Sequence, residues 1–243
     1  MIDLTKTVLE IALEQPSSIR VFENLGIDYC CGGRKPLAEA CAVRKLSVDE
    51  VVEALDSAAG TPATSTADWQ QASLGQLIDH IVASHHAYVK RELPRLRTLA
   101  QKVVNRHGDT QAHLTAIQEA LAQLDEELTH HLGKEEQVLF PYIARIEAAL
   151  ACGSALPEAC FGNITNPIAM MTREHDAAGM LLAGIRRMSD NFTTPAGACP
   201  TYHAFYDGLR EFEQDLHQHI HLENNILFPR AIEMESSAVG TAA

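Results

Sequence analysis

From about residue 74 onward, apolar residues recur every three or four positions along four long stretches, which is the spacing of helices that bury one face. The predicted helices cover about residues 74–105, 110–150, 167–190 and 201–234. Positions on the buried seams of the second and fourth helices are Leu121, Leu124, Leu128, His131, Glu135, Val138 and Tyr142, and Phe205, Leu209, Phe212, Leu216, His219, Glu223 and Ile226. The pattern predicts an all-α fold class, with a four-helix bundle over 73–235 and a frayed tail over 236–243.

Shorter helices are predicted before the bundle, in a small helical domain over 1–58. Pro16 breaks the first of them, and Gly26 lies where the second would end, as a C-cap. A third helix is predicted over 36–44. The segment Ser47-Val-Asp-Glu50 is a capping box that begins a fourth helix at Val48. The stretch Gly60-Thr-Pro-Ala-Thr-Ser-Thr-Ala is small, polar and aperiodic, which predicts a linker over 59–72.

Composition supports a helical protein with a substantial core and an acidic surface. Of 243 residues, 46% are hydrophobic and only 5% aromatic, and the formal net charge is −13. Nucleic acid and anionic membrane are excluded as expected partners because both would be repelled. The chain has no apolar run long enough to cross a membrane and no secretory signal, so a cytoplasmic location is expected. Its six cysteines should therefore be mostly reduced.

Two nearly identical segments carry the chemistry of the predicted bundle. One reads His131-Leu-Gly-Lys-Glu135-Glu-Gln-Val-Leu-Phe-Pro, and the other reads His219-Ile-His-Leu-Glu223-Asn-Asn-Ile-Leu-Phe-Pro. A histidine and a glutamate four residues apart share one face of a helix. A further histidine precedes each segment, 45 residues before in one repeat and 44 residues before in the other. Four histidines and two glutamates in one bundle suit a pair of non-haem irons.

The burial of these ligands itself argues for a cation. Glu135 and Glu223 lie on apolar seams, and an unpaired buried carboxylate costs several kcal/mol. Two helices that bring two such carboxylates together need a positive charge between them. Pro141 and Pro229 each follow their glutamate by six residues, and each is expected to bend or loosen its helix.

Periodicity also ranks the histidines within the two repeated segments. His131 continues the apolar seam and His130 does not. For the same reason His219 fits better than His217 or His221. The pattern places those two in solvent or beside the ligands rather than among them.

The choice between His85 and His86 stays open on periodicity, because both neighbour the same apolar positions, although the repeat offset slightly favours His86. Three carboxylates adjoin the site in sequence and are candidates to orient a ligand imidazole or relay protons. They are Glu127, Glu136 and Glu174. For Glu136 we expect a charge on a solvated face.

Together these features resemble a known family. The bundle is similar to a haemerythrin-type domain. The string Asp28-Tyr-Cys30-Cys31-Gly-Gly, with Cys41 after it, resembles the short domain that precedes this bundle in the repair-of-iron-centres proteins. The resemblance spans about residues 1–232. These are bacterial di-iron proteins that restore iron–sulfur clusters damaged by nitric oxide or peroxide.

The resemblance implies a complete ligand set and cofactor. It selects His86 over His85, and the implied metal ligands are His86, His131, Glu135, His175, His219 and Glu223. It implies two non-haem iron ions, bridged by oxo and by the carboxylates of the two glutamates. The implied partners are damaged iron–sulfur proteins and NO or another small diatomic, and a homodimer through the N-terminal domain is compatible with the sequence.

The chain departs from the oxygen-carrying haemerythrins at two places. Those proteins carry a second histidine four residues after the third-helix histidine, and they end on a His-x-x-x-x-Asp pair. Here Gly179 lies four residues after His175, and the last pair is His219 and Glu223. The missing histidine leaves an iron position open, which favours reactivity or iron release over reversible oxygen storage.

The adjacent cysteines Cys30 and Cys31 are the predicted reactive pair of the N-terminal domain. Neighbouring cysteines seldom bond to each other, because the ring strains the peptide. The two following glycines are expected to let the backbone bend and to leave both sulfurs accessible. Such thiolates could ligate iron, take up NO or supply electrons. The alternative is a small packed turn with inert thiols.

Three functions follow from this reading. The first is the repair of iron–sulfur clusters damaged by nitrosative or oxidative stress, through iron donation or NO handling at the di-iron centre. The second is an enzyme activity, the reduction of NO to nitrous oxide. The third is an oxygen-binding or oxygen-sensing module, which the missing histidine disfavours.

Overall fold

The computed structural model describes residues 2–59 and 68–241, so that most of the predicted linker lies outside the described residues. The all-α prediction is confirmed. The first four helices are α1 Val8–Glu14, α2 Ser18–Leu25, α3 Leu37–Arg44 and α4 Val48–Ala58. The later elements include three π-helical turns and are α5 Leu74–His80, π1 Ile81–His86, α6 Ala87–His107, α7 His113–Lys134, π2 Glu135–Leu139, α8 Phe140–Ala151, α9 Thr165–Met188, α10 Pro200–Leu222, π3 Glu223–Leu227 and α11 Phe228–Thr241.

The chain divides into two compact units. The first consists of Met1–Ala72 together with Ile220–Ile226, and the second of Ser73–His219 with Leu227–Ala243. The segment Ile220–Ile226 is thus part of a long bundle helix and also belongs to the N-terminal unit. None of the helices in the described residues is long and apolar enough to cross a membrane.

Local capping explains where the helices of the first unit begin and end. The Thr7 hydroxyl and the Glu10 carboxylate form a reciprocal capping box at the start of α1. Ser47 accepts a hydrogen bond from the Glu50 backbone N–H at the start of α4, which is one half of the predicted capping box. Gly26 ends α2 with φ of 64°, the left-handed conformation that glycine adopts without strain. Buried apolar side chains join these short helices into a core, among them Val8, Ile11, Phe22, Tyr29, Leu37 and Leu55.

The second unit contains the predicted bundle. Its four long helical runs are α5–π1–α6, α7–π2–α8, α9 and α10–π3–α11. Helix α7 packs against α6 and α9, and α8 packs against α5 and α11. The last helix continues to Thr241, where the sequence predicted a frayed tail from about residue 236.

The π turns lie beside the predicted ligands. Turn π1 ends at His86, π2 begins at Glu135, and π3 begins at Glu223. Pro141 and Pro229 follow π2 and π3, and a proline has no N–H to give to the carbonyl four residues earlier. The predicted loosening of the helix at these prolines therefore takes the form of a widened turn, a device that recurs at functional sites.

The prediction was wrong for one position on the buried seam of the second helix. Val138 has 43% of its surface exposed, and its neighbour Leu139 is buried instead. The π turn inserts one residue into the helical repeat, so the position that faces the bundle moves by one. Beyond the turn the predicted seam resumes at Tyr142, which is buried.

Candidate metal centre

The structure brings all six predicted ligands together in the bundle. They form two overlapping groups in which the potential ligand atoms lie within 4.8 Å of one another: His86, Glu135, His219 and Glu223, and His131, Glu135, His175 and Glu223. Every one of these residues is buried. Glu135 and Glu223 belong to both groups. Each group therefore offers two imidazoles and shares two carboxylates with the other.

The imidazoles of each group converge through the same ring atom. The Nε2 atoms of His86 and His219 are 3.1 Å apart, and those of His131 and His175 are 2.9 Å apart. Neighbouring ligands on one octahedral cation with metal–nitrogen bonds of about 2.1 Å are about 3.0 Å apart. Both nitrogen pairs thus have the separation that a shared cation requires.

The carboxylate of Glu135 spans the two groups. Its Oε2 atom lies 3.5 Å from His86 Nε2, and its Oε1 atom lies 3.3 Å from His131 Nε2. One oxygen therefore faces each histidine pair.

Carboxylates on neighbouring helices orient two of the predicted ligand imidazoles. His86 Nδ1 is 2.8 Å from a Glu136 oxygen, and His131 Nδ1 is 2.8 Å from a Glu174 oxygen. An ionised carboxylate only accepts hydrogen bonds, so each Nδ1 must carry the proton. Each Nε2 is then left with a bare lone pair aimed at the cluster.

A surface lysine completes each of these chains. Lys90 donates to Glu136, with distances of 2.6 and 2.8 Å, and Lys134 donates to Glu174. Partial burial opposes ionisation of both carboxyls. The hydrogen bonds from lysine and histidine outweigh it and hold the pKa of Glu136 and of Glu174 below the ordinary value.

Of the three carboxylates considered from sequence, two therefore contact predicted ligand histidines. The expectation of a solvated charge was wrong for Glu136, because the side chain reaches across to the helix that carries His86. Glu127 instead accepts a hydrogen bond from Gln123 on the exposed side of its own helix.

The remaining histidines have other partners. His85 is buried, its Nδ1 lies 3.0 Å from Asp215 Oδ1, and its ring stacks on that of His219 at 5.8 Å. His86, not His85, belongs to the cluster. His130 is exposed.

His221 does not lie where it was expected from the sequence, in solvent or beside the ligands. It is buried and packs edge-on against the ring of Tyr29 with centroids 5.4 Å apart. Its Nδ1 lies 3.1 Å from the side-chain amide of Asn225, and burial lowers the pKa of His221 to about 4. The ring and the Nδ1 atom of His221 thus contact residues of the N-terminal unit.

The Cys-Cys-Gly-Gly loop is ordered by one carboxylate. Asp28 Oδ1 accepts from the backbone N–H of Cys30 and of Cys31, both at 3.0 Å, and Oδ2 accepts from that of Gly32 at 2.9 Å. A side chain at Gly33 would lie 2.6 Å from the Tyr29 carbonyl oxygen. A glycine is needed here because the backbone of Tyr29 lies too close for a side chain, and not because the loop must bend freely.

The prediction that both sulfurs are accessible was wrong for one of them. Cys30 is only 6% exposed, whereas Cys31 is partly exposed. The two Sγ atoms are 3.6 Å apart, and both cysteines are free thiols. The Cys31 thiol and burial, with the nearby Asp28 carboxylate, raise the pKa of Cys30 well above its ordinary value.

Sequence reasoning missed the residues that act across elements. Asp215 lies four residues before His219, Lys90 lies four residues after His86, and Lys134 lies three residues after His131. Each is therefore on the same helix face as a predicted ligand, and this spacing could have indicated it. Asn225, which donates to the Cys30 carbonyl at 3.3 Å, carried none.

Imidazole nitrogens and carboxylate oxygens, buried in two groups, form a donor set that fits iron. The comparisons with known proteins agree. Residues 77–231 match the haemerythrin HHE cation binding domain, and residues 4–59 match a domain of unknown function, DUF542.

Two relatives match this chain over nearly its whole length. The iron-sulfur cluster repair protein YtfE of Yersinia pseudotuberculosis serotype O:1b is 40% identical over 225 residues, which is 93% of this chain and 96% of the relative. YtfE of Escherichia coli O81 is also 40% identical, over 226 residues with the same coverage. The resemblance inferred from the sequence is thereby confirmed. The chain belongs to the family of the iron-sulfur cluster repair protein YtfE.

Proposed function

We propose that the bundle binds two non-haem irons, one in each group of ligands. His86 and His219 would hold one, His131 and His175 the other, and Glu135 and Glu223 would bridge them. The sharing of both carboxylates by both groups is the observation that carries this proposal. Two negative charges at the centre of an apolar bundle favour two cations over one or none.

The surrounding residues prepare the site for metal. Glu136 and Glu174 hold His86 and His131 in the tautomer that presents a lone pair, and the lysines fix those carboxylates in turn. Bound iron would supply a redox couple and open coordination positions for small molecules. The absence of a histidine at Gly179 leaves room for such positions.

The physiological role we propose is the repair of iron–sulfur clusters damaged by nitrosative or oxidative stress. The relatives are named as iron-sulfur cluster repair proteins, which supports this role, as does the combination of an iron-type site with a dithiol domain. Damaged iron–sulfur proteins of the cytoplasm would be the partners. Cys30 and Cys31 would be the arm that meets the client protein or passes it electrons.

Repair is tested with a cluster enzyme inactivated by NO or peroxide. We expect iron-loaded protein to restore its activity, and Glu135→Ala/Glu223→Ala protein to fail. A matched addition of free ferrous iron is the control. Recovery with free iron alone that equals recovery with the protein would refute a specific repair role.

The reduction of NO is a second candidate, and the two overlapping ligand groups favour it. Adjacent cations that share two carboxylates could bring two NO molecules together. The reaction consumes two NO, two electrons and two protons, and yields nitrous oxide and water. Anaerobic turnover with an added reductant tests it by gas chromatography, and a lack of nitrous oxide above the buffer control would rule it out.

A further inference from the structure

The geometry points to a second metal site, in the N-terminal unit, where the thiolates of Cys30 and Cys31 hold a thiophilic divalent cation such as Zn²⁺ or Fe²⁺. This site is distinct from the histidine and glutamate centre. It goes beyond the proposed function, because binding there does not depend on whether the protein repairs clusters.

The separation of the sulfurs is the first observation. The two Sγ atoms lie 3.6 Å apart. Two thiolates on one tetrahedral cation with metal–sulfur bonds of about 2.3 Å are about 3.8 Å apart. The dithiol thus matches one edge of a metal tetrahedron almost without movement.

The loop is held in this geometry by its own contacts. Asp28 fixes the backbone N–H groups of Cys30, Cys31 and Gly32, and the Asn225 amide donates to the Cys30 carbonyl. The same amide lies against His221, which packs on Tyr29. A preorganised pair of ligands loses little conformational entropy on binding.

The charge around the sulfurs also favours a cation. Asp28 Oδ1 lies 3.4 Å from Cys30 Sγ, and Glu23 accepts a hydrogen bond from the neighbouring Tyr29 hydroxyl. Within the described residues, Asp28 forms no ion pair with a lysine, an arginine or a histidine. A thiolate at Cys30 is therefore disfavoured unless a positive ion accompanies it, which makes metal the natural partner of the ionised pair.

The exposure of the two cysteines decides how the remaining coordination positions of the cation are filled. Cys30 is buried, but Cys31 reaches the surface. With two protein ligands, a tetrahedral cation keeps two positions for water or for ligands from another molecule. Binding converts two thiols and M²⁺ into a neutral dithiolate complex and releases two protons to the buffer.

The test uses the full-length, iron-loaded protein, so that the bundle site is filled, under anaerobic conditions with Cd²⁺ as probe. We expect one cadmium per chain to produce the ultraviolet thiolate-to-cadmium charge-transfer band, with release of protons. Cys30→Ser and Cys31→Ser should each weaken binding by more than the roughly 10–100-fold that loss of an orienting partner costs. Zn²⁺ should displace the cadmium.

Cys160→Ser is the matched control, since Cys160 is an exposed cysteine outside the loop, and it should leave the band unchanged. Circular dichroism verifies that each variant is folded, and Cys31→Ser decides alone if the buried Cys30→Ser is not. A wild-type protein without the band, or a band that survives in Cys31→Ser, would overturn the site. Neither outcome touches the repair assay, so the two proposals fail separately.

Discussion

The two segments that carry paired ligands, 131–141 and 219–229, present the same groups to the metal centre and differ in the residues that face away from it. In the first, Glu136 and Lys134 take part in ion pairs near the surface. In the second, the positions of Gly133 and Gln137 are occupied by His221 and Asn225, which contact the Cys-Cys-Gly-Gly loop.

The difference shows which positions a duplicated motif must keep. The histidine, the glutamate and the Leu-Phe-Pro that follows recur in both copies, as the proposed cations and the bundle core would require. The other positions meet different neighbours and have diverged accordingly. The first segment contacts a predicted ligand histidine through Glu136, and the second contacts the Cys-Cys-Gly-Gly loop.

The largest effect is expected from the two residues that both ligand groups share. Glu135→Ala/Glu223→Ala should abolish iron binding in both halves, because no carboxylate then remains to balance the cations. Iron content and the anaerobic Mössbauer spectrum measure this. Glu127→Ala, on the same helix but outside the cluster, should keep full iron. Retention of two coupled irons in the double variant would refute the proposed bridges.

A smaller effect is expected where the first segment differs from the second, at the orienting carboxylate. Glu136→Gln and Glu174→Gln should each lower iron affinity by about 10–100-fold, because the imidazole exchanges a charged acceptor for a neutral amide that can also turn its NH2 group toward Nδ1. Competition with a chelator measures the affinity. Lys90→Gln, one step further from the metal, should change it less. Equal losses in all three variants would indicate a general loss of stability instead.

Next in size is the contact peculiar to the second segment. Asn225→Leu removes the donor to the Cys30 carbonyl and to His221, at a cost of about 1–3 kcal/mol in the free energy of unfolding. It should also make Cys30 react faster with a maleimide, as followed by mass spectrometry. Gln137→Leu, at the matching exposed position, should change stability by less than about 0.5 kcal/mol. Equal changes in stability and in Cys30 reactivity for the two variants would contradict the proposed difference between the two segments.

An effect of similar size concerns one apolar position in each segment. Val138 is 43% exposed, whereas the matching Ile226 is 7% exposed. Ile226→Ser should therefore cost about 1.5–3 kcal/mol, from lost burial. Val138→Ser should stay within about 0.5 kcal/mol. Urea unfolding of the iron-loaded proteins measures both, and a larger cost for Val138→Ser would show that its side chain is buried after all.

The sequence by itself determined the helices, the bundle and the predicted ligands. Each of these depends on periodicity within one segment and on its repetition, and both can be read along the chain. His131 and Glu135 share a helix face whatever surrounds them, and the second copy at His219 and Glu223 removes the ambiguity of a single motif.

Only the tertiary structure decided which side chains act between elements. Glu136 reaches His86 from another helix, Cys30 is buried in its loop, and His221 faces Tyr29 rather than solvent. These contacts depend on how each helix is rotated and on what covers it, and a π turn alone changes the rotation by one residue. Periodicity describes a helix in isolation, whereas partners across elements are set by packing.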